Sequence, residues 1–128
     1  MLLLDTCTLL WLVDAQTLLS KKAKQALLDN TNNLFISSIS ALEISLKFKK
    51  NLLTLPLAPD RWFAKALELH GISEIPINAN IAALSGLLPP HHNDPFDRIL
   101  VSTAKINHLT IATPDKHIKA YKEIKTIW

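Results

Sequence analysis

Glycine, cysteine and long apolar runs are what this sequence has least of. It contains two glycines, Gly71 and Gly86, and each falls just behind a helical pattern. No glycine-rich phosphate loop or dinucleotide fingerprint can be built from them, which disfavours a nucleotide-binding reading. The single cysteine, Cys7, excludes an intrachain disulfide, fits a reducing compartment and leaves no paired-cysteine or Cys/His spacing for zinc. The apolar start of the chain lacks a basic flank and is cut by Asp5, so it does not read as a secretory leader. No apolar run reaches membrane-spanning length. A cytoplasmic protein with no membrane partner is expected.

What is present suffices for a core. The 128 residues are 48% hydrophobic and 20% charged, which fits one globular domain, residues 1–128. A formal net charge of +3 is a mild bias toward anionic partners such as nucleic acid.

Short apolar runs at 2–4, 34–36, 72–77, 109–112 and 124–127 read as strands. Helical periodicities separate them. They run through Leu9 to Trp11, after Ser20, from about Ser40 to Lys50, over 60–70, from Asn78 to Leu84, from Phe96 to about Asn107, and from Asp115 to Tyr121. Pro56 and Pro59 bracket a loop, and Pro76 places the third strand at a sheet edge or that strand at its end. Strands alternating with helices predict an α/β fold in three layers, α/β/α, with a central parallel sheet of four or five short strands.

Four acids occupy equivalent places in that pattern. Asp5 follows the first strand, Glu43 falls in the first turn of the helix after the second, Asp97 in the first turn of its helix, and Asp115 in the first turn after the fourth strand. Strand C-ends and the following helix N-termini share one edge of a parallel sheet, where such folds place their sites. Two carboxylates about 4 Å apart repel by roughly 4 kcal/mol at an effective dielectric near 20. Helix N-termini relieve part of that cost, and a hard divalent cation relieves more. Metal-assisted phosphodiester hydrolysis is the chemistry such a cluster suits.

Each acid also has a purely structural reading. Ser40 to Glu43 fits a capping box. Asp94-Pro95-Phe96-Asp97 fits an N-cap, a first-turn proline and a first-turn acid, and Thr113-Pro114-Asp115 repeats the pattern. Asp5 could cap a turn with Thr6. Lys47 stands four residues after Glu43, a surface ion-pair spacing, and with Lys49 and Lys50 could instead follow nucleic-acid phosphates. Arg98 could hold a phosphate through its planar fork or pair with Asp94 or another carboxylate. His91 and His92 read as loop histidines satisfied by backbone carbonyls, Lys116, His117 and Lys119 as a solvated face, and Trp11, Trp62 and Phe63 as core or interface.

With those residues in view, the sequence resembles the PIN-domain nucleases, and among them the VapC toxins of toxin–antitoxin pairs. The likeness runs along nearly the whole chain. It begins at Leu4-Asp5-Thr6 and Leu9-Leu10-Trp11-Leu12 and continues at Ile39-Ser40 and Glu43-Ile44. It is most specific at Leu88-Pro89-Pro90 and His92-Asn93-Asp94-Pro95-Phe96-Asp97-Arg98, and ends at Ala112-Thr113-Pro114-Asp115. The resemblance implies a PIN-like fold in which Asp5, Glu43 and Asp97 form an acidic triad completed by Asp115. It implies Mg²⁺ as cofactor, with Mn²⁺ able to substitute, and RNA as substrate. It further implies a VapB-type antitoxin as partner and a homodimer. Thr6, Asp94, Arg98 and Lys47 are the residues expected to orient the site or meet RNA. Two departures stand near the cleft: Cys7 where this subgroup often has histidine, and Leu42 where it often has tryptophan.

Two other function classes fit the coarse pattern. A receiver domain of a signalling pair has similar length and an acidic magnesium pocket, but it wants an acidic pair after the first strand and an aspartate after the third. Here Pro76-Ile77-Asn78 offers none. A non-catalytic binding module would leave the acids as helix caps, and a magnesium titration separates it from an enzyme.

Overall fold

The structure, a computed structural model, describes all residues Met1–Trp128. Five short strands, β1 (Leu2–Leu4), β2 (Leu34–Ser37), β3 (Ile72–Ile75), β4 (Thr110–Ala112) and β5 (Lys125–Ile127), form one sheet in the order β3-β2-β1-β4-β5. Every neighbouring pair is parallel. Seven helices connect and cover them: α1 (Thr6–Asp14), α2 (Lys21–Asp29), α3 (Ile39–Lys49), α4 (Pro59–His70), α5 (Ala79–Leu87), α6 (Pro95–Asn107) and α7 (Lys116–Lys119). No helix is long and apolar enough to cross a membrane.

The central strand explains the layers. Leu2, Leu3 and Leu4 are all buried, and alternation sends Leu2 and Leu4 to one face and Leu3 to the other. Below one face, Leu2 and Leu4 join Leu9, Leu27, Ile44 and Phe63. Above the other, Leu3 joins Leu100, Val101, Ile111, Ile118 and Tyr121. Two cores separated by one sheet make the expected three layers.

Local signals set most of the element ends. Ser20 and Asn78 cap α2 and α5 through their side chains. Gly71 closes α4 in the left-handed region at φ 62°, a conformation glycine adopts without strain. Pro76 follows β3, which lies at the sheet edge.

Four sequence expectations shift. Pro59 is the first residue of α4, where its fixed φ and missing N–H suit a helix start, and so is not part of the preceding loop. Gly86 lies inside α5, which runs on to Leu87; the stop comes from Pro89, which holds Leu88 extended. Glu43 is in the second turn of α3, since that helix starts at Ile39. Asp115 is the N-cap of α7, one position before its first turn.

Topology fixes where a site can form. From β1 the chain winds outward through β2 to β3, then crosses back to β4 on the other side of β1. The direction of winding reverses between β1 and β4, and the crevice beyond their C-ends is left open. Asp5 leaves the end of β1, and Thr113 and Asp115 leave the end of β4.

Candidate active site

Asp5 is the innermost acid, 5% exposed. It is the N-cap of α1, and its Oδ1 accepts from Thr8 N at 2.8 Å and from the Cys7 thiol at 3.1 Å. Its Oδ2 accepts from the buried hydroxyl of Thr113. Three donors and a helix N-terminus thus stabilise a carboxylate that the apolar surroundings alone would disfavour. Cys7, one of the two departures noted in the sequence, therefore lies directly on this acid. Burial, and next the charge of Asp5, push its thiol well above the ordinary range, so it serves as a neutral donor and not as a thiolate. Leu42, the other departure, is exposed.

Thr113 ties the ends of β1 and β4 together. Its hydroxyl donates to Asp5 and accepts from Asp115 N at 3.0 Å. Asp115 turns one oxygen inward to cap α7, with Oδ1 accepting from His117 N at 2.7 Å. The His117 ring stands beside the same oxygen, Nδ1 at 3.6 Å.

On the other side of Asp5, Thr6 reaches Glu43. Thr6 Oγ1 lies 2.9 Å from Ser40 Oγ and 3.0 Å from Glu43 Oε1. An ionised carboxylate only accepts, so the Thr6 proton goes to Glu43 and Ser40 donates to Thr6. The expected capping box is not formed, because Ser40 lies within α3 and spends its hydroxyl on Thr6, while the position before the helix is Ser38, with no side-chain cap. Lys47 pairs with Glu43 Oε2 at 3.1 Å, one helical turn on.

Asp97 comes from the first turn of α6, whose N-cap is Asp94, with Oδ1 accepting from Phe96 N at 2.9 Å. Asp97 is the acid whose ionisation is most perturbed. Burial is the main cause that raises its carboxyl to about 6; the hydrogen bond with His92 opposes it, and the charges of Asp94 and Asp115 add to the rise. Its Oδ2 is 3.1 Å from His92 Nε2.

Sequence reasoning missed three participants. His92 meets a carboxylate and Tyr121 Oη, not a backbone carbonyl. His117 is exposed, as a solvated face requires, yet its ring also stacks on His92 at 5.1 Å. Thr113 had no signal of its own beyond its place before Asp115. The spacing of His92 five residues before Asp97 was visible, but which group the ring would face was not.

Arg98 makes no ion pair with Asp94 or any other carboxylate, which corrects that alternative. Its N–H groups face protein acceptors, donating to the carbonyls of Ser85, Leu88, Pro89 and His92 and to Tyr121 Oη. It holds the α5–α6 connection in place. Trp62 and Phe63 are in the core, and Trp11 is half-buried against Trp128, ring centres 5.6 Å apart.

The arrangement brings Asp5, Glu43, Asp97 and Asp115 to one edge, with Thr6 and Thr113 as bridges. No three carboxylate, imidazole or thiol groups stand close enough to enclose an ion by themselves. Asp97 Oδ1 and Asp115 Oδ2 remain without a protein partner. This donor set fits Mg²⁺ or Mn²⁺, hard ions commonly held by one or two carboxylates with water filling the other positions, and does not fit zinc.

A parallel α/β domain with carboxylates gathered at its switch point defines the class, an α/β fold with an acidic edge. The PIN domain family matches residues 2–124, and the chain belongs to that family, whose members are generally nucleases. Solved structures of similar fold include a chain of the DNA-bound VapBC complex from Salmonella typhimurium. Its TM-score is 0.71 at 19% identity, covering 98% of this chain and 95% of that one. VapBC2 from Rickettsia felis bound to a promoter DNA fragment gives 0.71 at 16% identity, covering 98% and 96%. A toxin–antitoxin complex from Klebsiella pneumoniae gives 0.67 at 24% identity, covering 97% and 95%. No curated protein matches the chain.

Proposed function

We propose that this chain is a Mg²⁺-dependent endoribonuclease, with Mn²⁺ able to substitute, acting as the toxin of a VapBC-type pair and restrained by a VapB-type antitoxin. The observation that carries the reading is the pair of hydrogen-bonded sets Glu43–Thr6 and Asp5–Thr113–Asp115, which start from the adjacent residues Asp5 and Thr6 at the end of β1. Membership of the PIN-domain family supports a nuclease, and the fold likeness to chains of toxin–antitoxin complexes supports the toxin role.

When bound, the ion would supply an acidified water and neutralise charge developing on the phosphoryl group. Asp97 and Asp115 would hold it through their free oxygens, with buried Asp5 and, beyond Thr6, Glu43 adding negative charge. Thr6 fixes the Glu43 carboxylate, and Thr113 fixes that of Asp5 and the backbone of Asp115. Lys47 lies beside the crevice, 41% exposed, and offers an RNA phosphate a cation once Glu43 is otherwise engaged. No side chain here is placed as a nucleophile, since Cys7 is held neutral and hydrogen-bonded to Asp5.

The test is incubation with total cellular RNA, with Mg²⁺ or with a chelator, and mapping of the cut ends. Cleavage should need the metal, and Asp97→Asn and Asp5→Asn should each lower it by at least about a hundredfold, the loss expected when a metal ligand is removed. Cleavage by either variant at the parental rate contradicts the site, and cleavage in chelator contradicts the metal.

A further inference from the structure

Three side chains outside the acidic set form a closed chain of donors and acceptors ending on Asp97. Arg98 Nη1 is 3.3 Å from Tyr121 Oη, Tyr121 Oη is 3.3 Å from His92 Nδ1, and His92 Nε2 is 3.1 Å from Asp97 Oδ2. All are sheltered: Tyr121 is 1% exposed and the His92 side chain 13%.

The direction of each bond follows from the ends. A guanidinium has donors and no acceptor, so Tyr121 Oη must accept from Arg98. The phenol has one proton, and it is left free to point at His92 Nδ1. A neutral imidazole that accepts at Nδ1 carries its proton at Nε2, and that proton points at the Asp97 carboxylate. The opposite tautomer would face the Nε2 lone pair toward Asp97 Oδ2. It would also leave the buried Tyr121 proton without an acceptor, at a cost large for a sheltered group. The rings are fixed as well. His117 stacks on His92 with 18° between planes, and His91 meets Tyr121 edge-on at 4.7 Å.

We propose that His92 is the positioning residue of Asp97, locked as the Nε2–H tautomer by a relay from Arg98 through Tyr121, so that Asp97 Oδ2 is anchored and Oδ1 is aimed into the crevice. The role assigned to Asp97 rests on the function proposed above, whereas the tautomer does not. The relay gives the fold an economy: the arginine that clamps the α5–α6 connection also sets the proton that orients the acid at the start of α6.

The experiment reads the tautomer directly, on metal-free protein without RNA. Protein labelled with ¹⁵N at histidine is studied by long-range ¹H–¹⁵N correlation at about pH 8, where an ordinary imidazole is neutral. His92→Gln assigns the His92 signals by their loss. The parent should show His92 protonated at Nε2 alone, and Tyr121→Phe should shift it toward a mixture. Mn²⁺ titration by calorimetry is the second reading. Tyr121→Phe and His92→Ala should weaken the ion's binding about tenfold, with His92→Gln, which keeps a donor toward Asp97, recovering most of the loss. If Tyr121→Phe does not fold, the His92→Ala and His92→Gln pair carries the comparison. A parent protonated at Nδ1 overturns the inference, as does His92→Ala binding Mn²⁺ as tightly as the parent. A parent with the expected tautomer that cuts no RNA contradicts the ribonuclease reading and leaves the relay standing. RNA cleavage by a parent with the wrong tautomer does the reverse.

Discussion

Asp97 concentrates the conflict between folding and function in one side chain. Its carboxyl is raised from an ordinary 3.8 to about 6 by burial and by the acids around it. Between those values the folded protein holds a proton that the unfolded chain has released, so the protein loses stability as pH rises through that window. Above about 6 the ionised group is a standing cost, on the order of 1 kcal/mol after solvent screening. Asp97→Asn should therefore unfold a few degrees higher than the parent at neutral pH in chelator, and the gain should vanish near pH 4. Thermal unfolding followed by circular dichroism across pH checks this. An Asn variant less stable than the parent at neutral pH would mean that the charge crowding is not what the structure describes. The places of Asp5 and Asp115 were legible in the sequence because each stands where a strand gives way to a helix, and that of Asp97 because it follows a capping Asp-Pro pair at a helix start. Their partners were not. Thr113 and His92 are ordinary residues in sequence, and only the meeting of chain segments 108 and five residues apart gives them a role.

Among the elements, the connection between α5 and α6 shows what local signals do and do not carry. Pro89 at one end and the cap Asp94 with Pro95 at the other mark its limits and could be read in advance. The glycine at 86 misled, because a helix tolerates glycine near its end and a following proline decides the stop. Arg98 misled more, since a charged fork beside an acid suggests an ion pair. Its side chain turns back instead and donates to four carbonyls of the connection. Arg98→Lys should cost about 1–3 kcal/mol of stability in urea unfolding, as carbonyls lose donors that a single ammonium cannot replace. In Arg98→Gln, which removes the charge, the salt dependence of RNA binding should stay the same, whereas loss of a phosphate-contacting arginine would lower the slope by about one unit.

For the whole molecule, strand alternation foretold a parallel three-layer fold, and five strands with helices on both faces are what the chain adopts. Strand order was not legible, because five short apolar runs pair equally well in many orders until the helices are packed. That order matters most for function, since β4 lying beside β1 is what brings residues 5 and 113–115 to one crevice. On the function proposed, the chain's mild positive charge would draw an anionic polymer and the acids inside the crevice would reject it unless a cation intervened. The most direct measurement is an anomalous difference map from crystals soaked in Mn²⁺. A peak is predicted within coordination distance of Asp97 and Asp115, on the side of Asp5, and absent in crystals of Asp97→Asn. A soaked crystal with no peak in that crevice, or with its peak unchanged in the variant, would contradict the claim that these acids are gathered to hold a divalent ion.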